Sequence, residues 1–460
     1  MAHSNRTGST TATAPPPPAA AAAPIGYPRI AIAGGGPGAL TLALLLQLSS
    51  SSSSQQQQTH PTSTPPVLPV TVFEMRSKPT PAQLDEPSGS LDLHEGSGLA
   101  AIRACGLWER FVPLTGDCEE GMIVVDREGR VVYSDGENEE GKEKEEKEQQ
   151  TKRGRPEIAR NNLLRILLDK IPPDCIRWGS KVVKAEKDEQ SATTTIENFD
   201  YLIGADGAFS RVRTLLPPSS ASTLQSSGIH WFPLVIPAIS TRHPRLAAYV
   251  GRGMFLCLAQ GHMVCVMGGV RDSALVTVML NCQRSGGVGG GVDMSLDRVK
   301  QRVLNEERFL GRFGDKVKEV VRMAFDETIA AAAKEEEEGY RQQDGIQLKP
   351  LVSLPAGHCW THAPHATLIG DAAHVMLPSG EGVNLAMWDA LDVSRSIEVF
   401  RRVLSPKMKE CEEEMHRRAA QEAHASVEQN ALMFGENGAE ALAGWMREMM
   451  RSFGGGDEAE

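Results

Sequence analysis

Three glycine-rich turns, each associated with a carboxylate, carry the chemistry this sequence can do. The first is Gly34-Gly35-Gly36-Pro37-Gly38-Ala39, a G-x-G-x-x-A pattern between a strand-like run at 29–33 and a helical run through Leu48. Gly34 permits the tight turn, and Gly36 lets backbone approach a pyrophosphate seated on the positive end of the helix. Small Ala39 lets helix and strand pack closely, and Gly38 completes the candidate set. A dinucleotide site also needs an acid about 20 residues on, to hold ribose hydroxyls. Glu74 lies 35 positions after Ala39, but removing the Ser/Gln/Pro-rich stretch 49–66, 18 residues, leaves 17. Glu74 then falls at the end of the second strand, where that acid belongs.

The second turn follows the strand-like Tyr201-Leu202-Ile203-Gly204 and contains Asp206-Gly207, with Ser210, Arg211 and Arg213 behind it. The third follows Leu368-Ile369-Gly370 and begins with Asp371; Gly380, Gly382 and Asn384 come shortly after. A carboxylate at a strand's C-terminal end can accept hydrogen bonds from a sugar-like hydroxyl chain. A glycine-rich loop opening a helix offers N–H groups to an electron-rich ring edge. The first motif alone does not separate FAD from NAD(P).

The elements that must position these turns are legible in outline. The chain has 460 residues, 40% hydrophobic and 23% charged, enough for two domains with sizeable cores. Residues 1–24, with their proline and alanine runs, read as a disordered tail. A dinucleotide-binding domain is expected over 25–227, with low-complexity inserts at 49–66 and 135–155, and resumes over 356–405. Residues 228–355 read as an antiparallel substrate-binding domain: apolar runs at 255–258 and 263–267 flank a hairpin turn, 274–280 is a further strand, and 294–333 is helical. Residues 406–460 are C-terminal helices and an acidic tail. In the last helix Leu442, Trp445, Met446, Met449 and Phe453 keep helical spacing, which predicts packing on the domains.

Composition excludes several classes. No apolar run reaches the ~20 residues a membrane span needs. A secretory signal pattern is absent from the N-terminal residues, and the eight cysteines contain no C-x-x-C, so reduced thiols in a cytoplasmic setting are expected, with no metal site. The formal net charge is −11, and segments 135–150, 334–338 and 454–460 carry −5, −3 and −3, which together equal it. Acidity therefore sits in loops and a tail. A nucleic-acid partner, which needs a basic face, is not expected. The chain is expected to be a monomer or weak dimer.

The three motifs together resemble those of the class A flavoprotein monooxygenases, which fold like para-hydroxybenzoate hydroxylase. Within that family, Gly89-Ser90-Leu91-Asp92-Leu93-His94-Glu95-Gly96-Ser97-Gly98 and Pro156-Glu157-Ile158-Ala159-Arg160-Asn161-Asn162-Leu163 are most similar to the tetracycline-inactivating branch. The resemblance runs from about Arg29 to the last helix. It implies an α/β chain: a Rossmann-like FAD-binding domain, a mixed or antiparallel-sheet substrate domain and C-terminal helices. It implies that Glu74 binds the adenosine ribose, Asp92 and Arg160 contact FAD, and Asp206 and Gly207 face the pyrophosphate. Asp371 would hold the ribityl chain, with Gly380, Gly382 and Asn384 bordering the ring. Read from the residues alone, Arg160 also fits a surface cation at a helix start and Asp92 a helix cap; His94 and His374 read as structural.

The implied activity is a monooxygenase that uses FAD, NAD(P)H and O2 to hydroxylate an electron-rich aromatic, enolic or polyketide-like small molecule through a flavin hydroperoxide. A flavin reductase without oxygen transfer and a non-catalytic FAD-binding protein are the alternatives. The chain departs from the branch at Asp85, where the branch carries an arginine implicated in nicotinamide cofactor binding, with Arg76 or Arg211 as candidate substitutes. The loop between His374 and Gly380 is one residue shorter and lacks the usual aromatic. No general base can be assigned from the residues.

Overall fold

The computed structural model describes residues 28–52, 68–117, 121–135, 156–183, 199–218, 222–283, 295–337, 348–398 and 405–454. The expected tail at 1–24, most of both inserts and the acidic C-terminus lie outside these residues.

The first sheet is wholly parallel. It contains β1 (Ile30–Ala33), β2 (Val70–Glu74), β7 (Ile176–Trp178), β8 (Tyr201–Gly204) and β14 (Ala366–Leu368), in the order β14-β8-β1-β2-β7. Every residue of β1 and β8 is buried, as expected for central strands covered on both faces. Helix α1 (Pro37–Ser52) follows β1 directly; Leu40, Leu42, Ala43, Leu44 and Leu46 are all buried, so it is apolar around most of its circumference. It runs four residues past Leu48, into the serine run expected to be loop. β3 (Ser90–Asp92) and β6 (Glu157–Ala159) form a two-stranded antiparallel flap. Helices α2 (Gly98–Ala104) and α3 (Arg160–Leu168) lead out of it.

The second sheet has seven strands: β4 (Met122–Val125), β5 (Val131–Ser134), β9 (Gln225–Ile236), β10 (Met254–Ala259), β11 (His262–Gly269), β12 (Ser273–Asn281) and β13 (Lys349–Ser353). Their order is β13-β9-β12-β11-β10-β4-β5. All neighbours are antiparallel except β10 and β4. β4 and β5 come from the stretch expected to belong to the first domain; they join this sheet instead. Nothing in their own apolar alternation says which sheet they extend. The β10–β11 hairpin turns where expected, with Gln260 at φ 53° and Gly261 at 79°.

One face of this sheet packs Phe232, Val264, Val266, Val276 and Val278 against helices α4 (Leu296–Asn305) and α5 (Asp315–Glu337). The opposite face meets the C-terminal helix. The FAD-type unit is completed by α6 (Asp371–His374), α7 (Gly382–Glu398) and α8 (Ser405–Met433). Finally, α9 (Gly438–Gly454) sets Ala439, Leu442, Ala443 and Met446 on Leu256 and Leu258; Leu442 and Met446 belong to the expected stripe, but Trp445, also counted in it, is exposed because it turns off the sheet-facing side. Among the described residues no helix is long and apolar enough to cross a membrane.

Candidate active site

The three turns meet at the C-terminal ends of β1, β8 and β14. A Cβ on Gly34 would stand 2.1 Å from the Ala205 carbonyl oxygen, so the first and second turns touch here. With φ at 103°, Gly34 is also in a backbone region that side chains rarely adopt. Gly38 faces a different neighbour. Its Cβ would lie 2.8 Å from the Ala386 carbonyl of α7, so this glycine lets two helices close on one another. Gly36 is open: no atom lies within 4 Å of where its Cβ would be, and the same holds for Gly207 and Gly382.

Glu74 ends β2 and is 3% exposed. Its Oε2 accepts from the Gly35 N–H at 2.6 Å; its Oε1 accepts from the backbone and side-chain nitrogens of Arg76, each at 2.8 Å. Burial opposes its ionisation, but these bonds and the Arg76 charge outweigh that and hold its pKa below the usual value. The carboxylate thus braces the first turn from beneath.

Asp206 caps its own turn, accepting from Ser210 Oγ at 2.5 Å and the Arg211 N–H at 2.6 Å. Arg213 then links the second turn to the third. Its guanidinium donates to the Ala208 carbonyl at 2.6 Å and the Ala372 carbonyl at 2.9 Å. Its pKa is lowered by burial, with Asp206 partly offsetting the loss.

Asp371 opens α6 after Gly370 at φ 59°. Its carboxylate is exposed and makes no hydrogen bond among the described residues. Support comes from Asp389 of α7, 1% exposed, which was not foreseen from the sequence. Asp389 accepts from the Gly370 N–H at 2.9 Å, lies 2.7 Å from His374 Nε2, and pairs with Arg418 of α8 at 3.3 Å. Burial opposes the charge on His374, yet Asp389 raises its pKa overall. The signal that could have found Asp389 is a lone acid within the otherwise apolar helical run Leu385-Ala386-Met387-Trp388-Asp389-Ala390-Leu391.

Arg160 opens α3 beside the flap, its backbone N–H donating to Gly89 O at 3.0 Å. Solvent reaches its side chain, yet the surrounding protein lowers its pKa by desolvation while Asp371 acts the other way. A side chain on the wall of a cleft, facing Asp371, has both properties. Asp92 does not cap a helix; it ends β3, and its carboxylate lies 2.9 Å from His94 Nε2 and 3.8 Å from the Cβ position of Gly380. Asn384 is 1% exposed and clasps the flap: its Nδ2 donates to Asp92 O at 3.0 Å, and its Oδ1 accepts from the His94 N–H at 2.9 Å. Its side chain is therefore spent on the fold. In this turn the Glu381 N–H donates to Ser379 Oγ at 3.4 Å, while the N–H groups of Gly380, at φ 86°, and Gly382 make no hydrogen bond among the described residues.

Asp85 is held between two cations. It pairs with Arg165 of α3 and with Arg271 from the second sheet.

The chain is 29% identical over 430 residues to the monooxygenase penA of Penicillium thymicola, covering 83% of this chain and 93% of that protein. It is 28% identical over 374 residues to the monooxygenase asqM of Emericella nidulans, covering 71% and 77%. No family model matches. Among solved structures it is similar to Klebsiella pneumoniae HpxO complexed with FAD and uric acid, with TM-score 0.62 at 15% identity over 92% of this chain and 93% of that one. A salicylate hydroxylase substrate complex gives 0.59 at 17% over 93% and 95%, and the tetracycline destructase Tet(55) gives 0.56 at 15% over 89% of each. Fold and relatives point the same way: the chain has the class A FAD-dependent monooxygenase fold, with the tetracycline destructases among its structural neighbours, and the sequence relatives it matches over most of its length are monooxygenases. FAD is the cofactor of that class.

Proposed function

We propose that the cleft between the three turns holds FAD and that the chain uses NAD(P)H and O2 to oxygenate an electron-rich, apolar ring: an aromatic, enolic or polyketide-like small molecule. The observation that carries this reading is an exposed pair of opposite charges left open to a ligand. Arg160 feels the charge of Asp371, neither side chain makes a hydrogen bond among the described residues, and the sides of Gly36, Gly207 and Gly382 are open. A phosphate, a polyol and an electron-rich ring edge in sequence would meet the guanidinium, the carboxylate and the backbone N–H groups. Glu74, braced by Gly35 and Arg76, would meet ribose hydroxyls, and Arg160 and the N-terminus of α1 the pyrophosphate. Asp371 would accept from the ribityl hydroxyls. Bound FAD supplies the electron transfer and oxygen activation; this chain's residues bind, orient and exclude water.

The sheet facing the flap supports that substrate class. Gly89 lies against Leu275 and Met267, so that face of the second sheet looks toward the cleft and presents apolar and thioether side chains, which adapt to flat apolar rings. The test is purification with flavin, followed by turnover with 18O2 over a panel of aromatic and polyketide-like compounds. A product that gains one labelled oxygen per NAD(P)H is expected. Peroxide in stoichiometric yield with every compound would overturn oxygenation in favour of a reductase. Asp371→Ala is expected to purify largely without flavin; full occupancy would overturn its assignment.

A further inference from the structure

His94 leaves β3 in the loop before α2, and nothing above uses its ring. Its Nε2 lies 2.9 Å from Asp92 Oδ2 and its Nδ1 lies 3.2 Å from Glu381 Oε2. Asp92 belongs to the flap; Glu381 sits between Gly380 and Gly382, in the turn that opens α7. The ring therefore spans the two segments that border one wall of the cleft. Only an imidazolium can donate from both nitrogens at once, since the neutral ring has a single N–H. Hydrogen bonds to Asp92 and then Glu381 push its pKa up to about 9, against its burial. Among the described residues, the further titrating group facing this cluster is Glu422 of α8, whose pKa is raised by burial and by Glu381 and eased by His94.

We propose that His94 is a positioning residue: its imidazolium clasps Asp92 to Glu381 and so fixes the 380–382 turn against the flap, setting one wall of the flavin cleft. The proposal rests on the FAD reading above. With the ring neutral, one carboxylate loses its donor and the two acids repel, so the turn is no longer held. Because the folded-state pKa is raised above the ordinary 6.5, the clasp is complete below that value and is lost as pH rises through about 9.

The test follows the His94 ring proton by NMR in the flavin-free protein, identified by its disappearance in His94→Gln, together with FAD affinity by fluorescence from about pH 7 to about pH 10. The expected midpoint is near 9, and the FAD Kd should rise several-fold through it in the wild type but stay flat in His94→Gln. Glu381→Gln, which keeps the shape but removes one charge, should move the midpoint down. A wild-type midpoint in the ordinary histidine range overturns the clasp, as does the same pH profile in wild type and His94→Gln. Failure of the wild-type protein to take up FAD at any pH would instead overturn the FAD reading, while the ring titration in the flavin-free protein still decides the clasp.

Discussion

Glycines that look alike in the first turn do different physical work. At Gly34 the torsion and the Ala205 carbonyl both forbid a side chain, whereas at Gly36 a methyl group would enter open space. Gly34→Ala is therefore expected to destabilise the fold by about 1–3 kcal/mol or more, the range for a strained backbone position, with added cost from the clash. Gly36→Ala should leave thermal unfolding near wild type and weaken FAD binding. Melting curves and flavin titration of both variants check the contrast; equal loss of stability in the two would refute it. Carboxylates divide in the same way. Glu74, Asp206 and Asp389 already accept from protein donors, while the Asp371 carboxylate makes no hydrogen bond among the described residues.

At the level of elements, α1 and α7 approach so closely that Gly38 must lack a side chain, and this contact brings the first and third turns together. The two clasps on the flap, Asn384 from α7 and the 380–382 turn through His94, do the same for the ring side of the cleft. α9 serves the other sheet. Leu442, 2% exposed, sits on the strands β10 and β4, so Leu442→Ala is expected to cost about 2–5 kcal/mol as a buried large-to-small change. Urea unfolding measures it. A loss below that range would show that α9 rests only loosely on the sheet.

Across the whole molecule, the two sheets are joined through short contacts. Leu354 N–H donates to Val375 O at 2.8 Å, and Asp85 reaches Arg271. Arg271 and Asp272 both adopt left-handed backbone, at φ 56° and 58°, and Asp272 is fixed there by Ser240 at 2.7 and 3.1 Å. The Arg271 side chain is 71% exposed, so its ion pair is screened by water. Arg271→Ala should change stability by less than about 1 kcal/mol, read by denaturant midpoint. A larger loss would mean that this pair, rather than the apolar contact of Gly89 with Leu275 and Met267, holds the sheets in place.

The sequence by itself determined the parallel sheet, the helix after the first turn, the hairpin and the packed last helix, because each follows from local spacing: small residues at a turn, a buried apolar run, a 3.6-residue stripe. It also named Glu74 and Asp371, since strand-end acids are visible one segment at a time, whereas Arg160 entered only through the family resemblance. Which sheet β4 and β5 join was not readable, because strand pairing between distant segments leaves no mark in either strand. Only the tertiary structure decided that Asn384 clasps the flap, that Asp389 supports the third turn, and that His94 lies between two acids. Each of those partners is set by packing of segments up to 292 residues apart, and a side chain's hydrogen bonds follow from where its neighbours are brought, not from its own place in the chain.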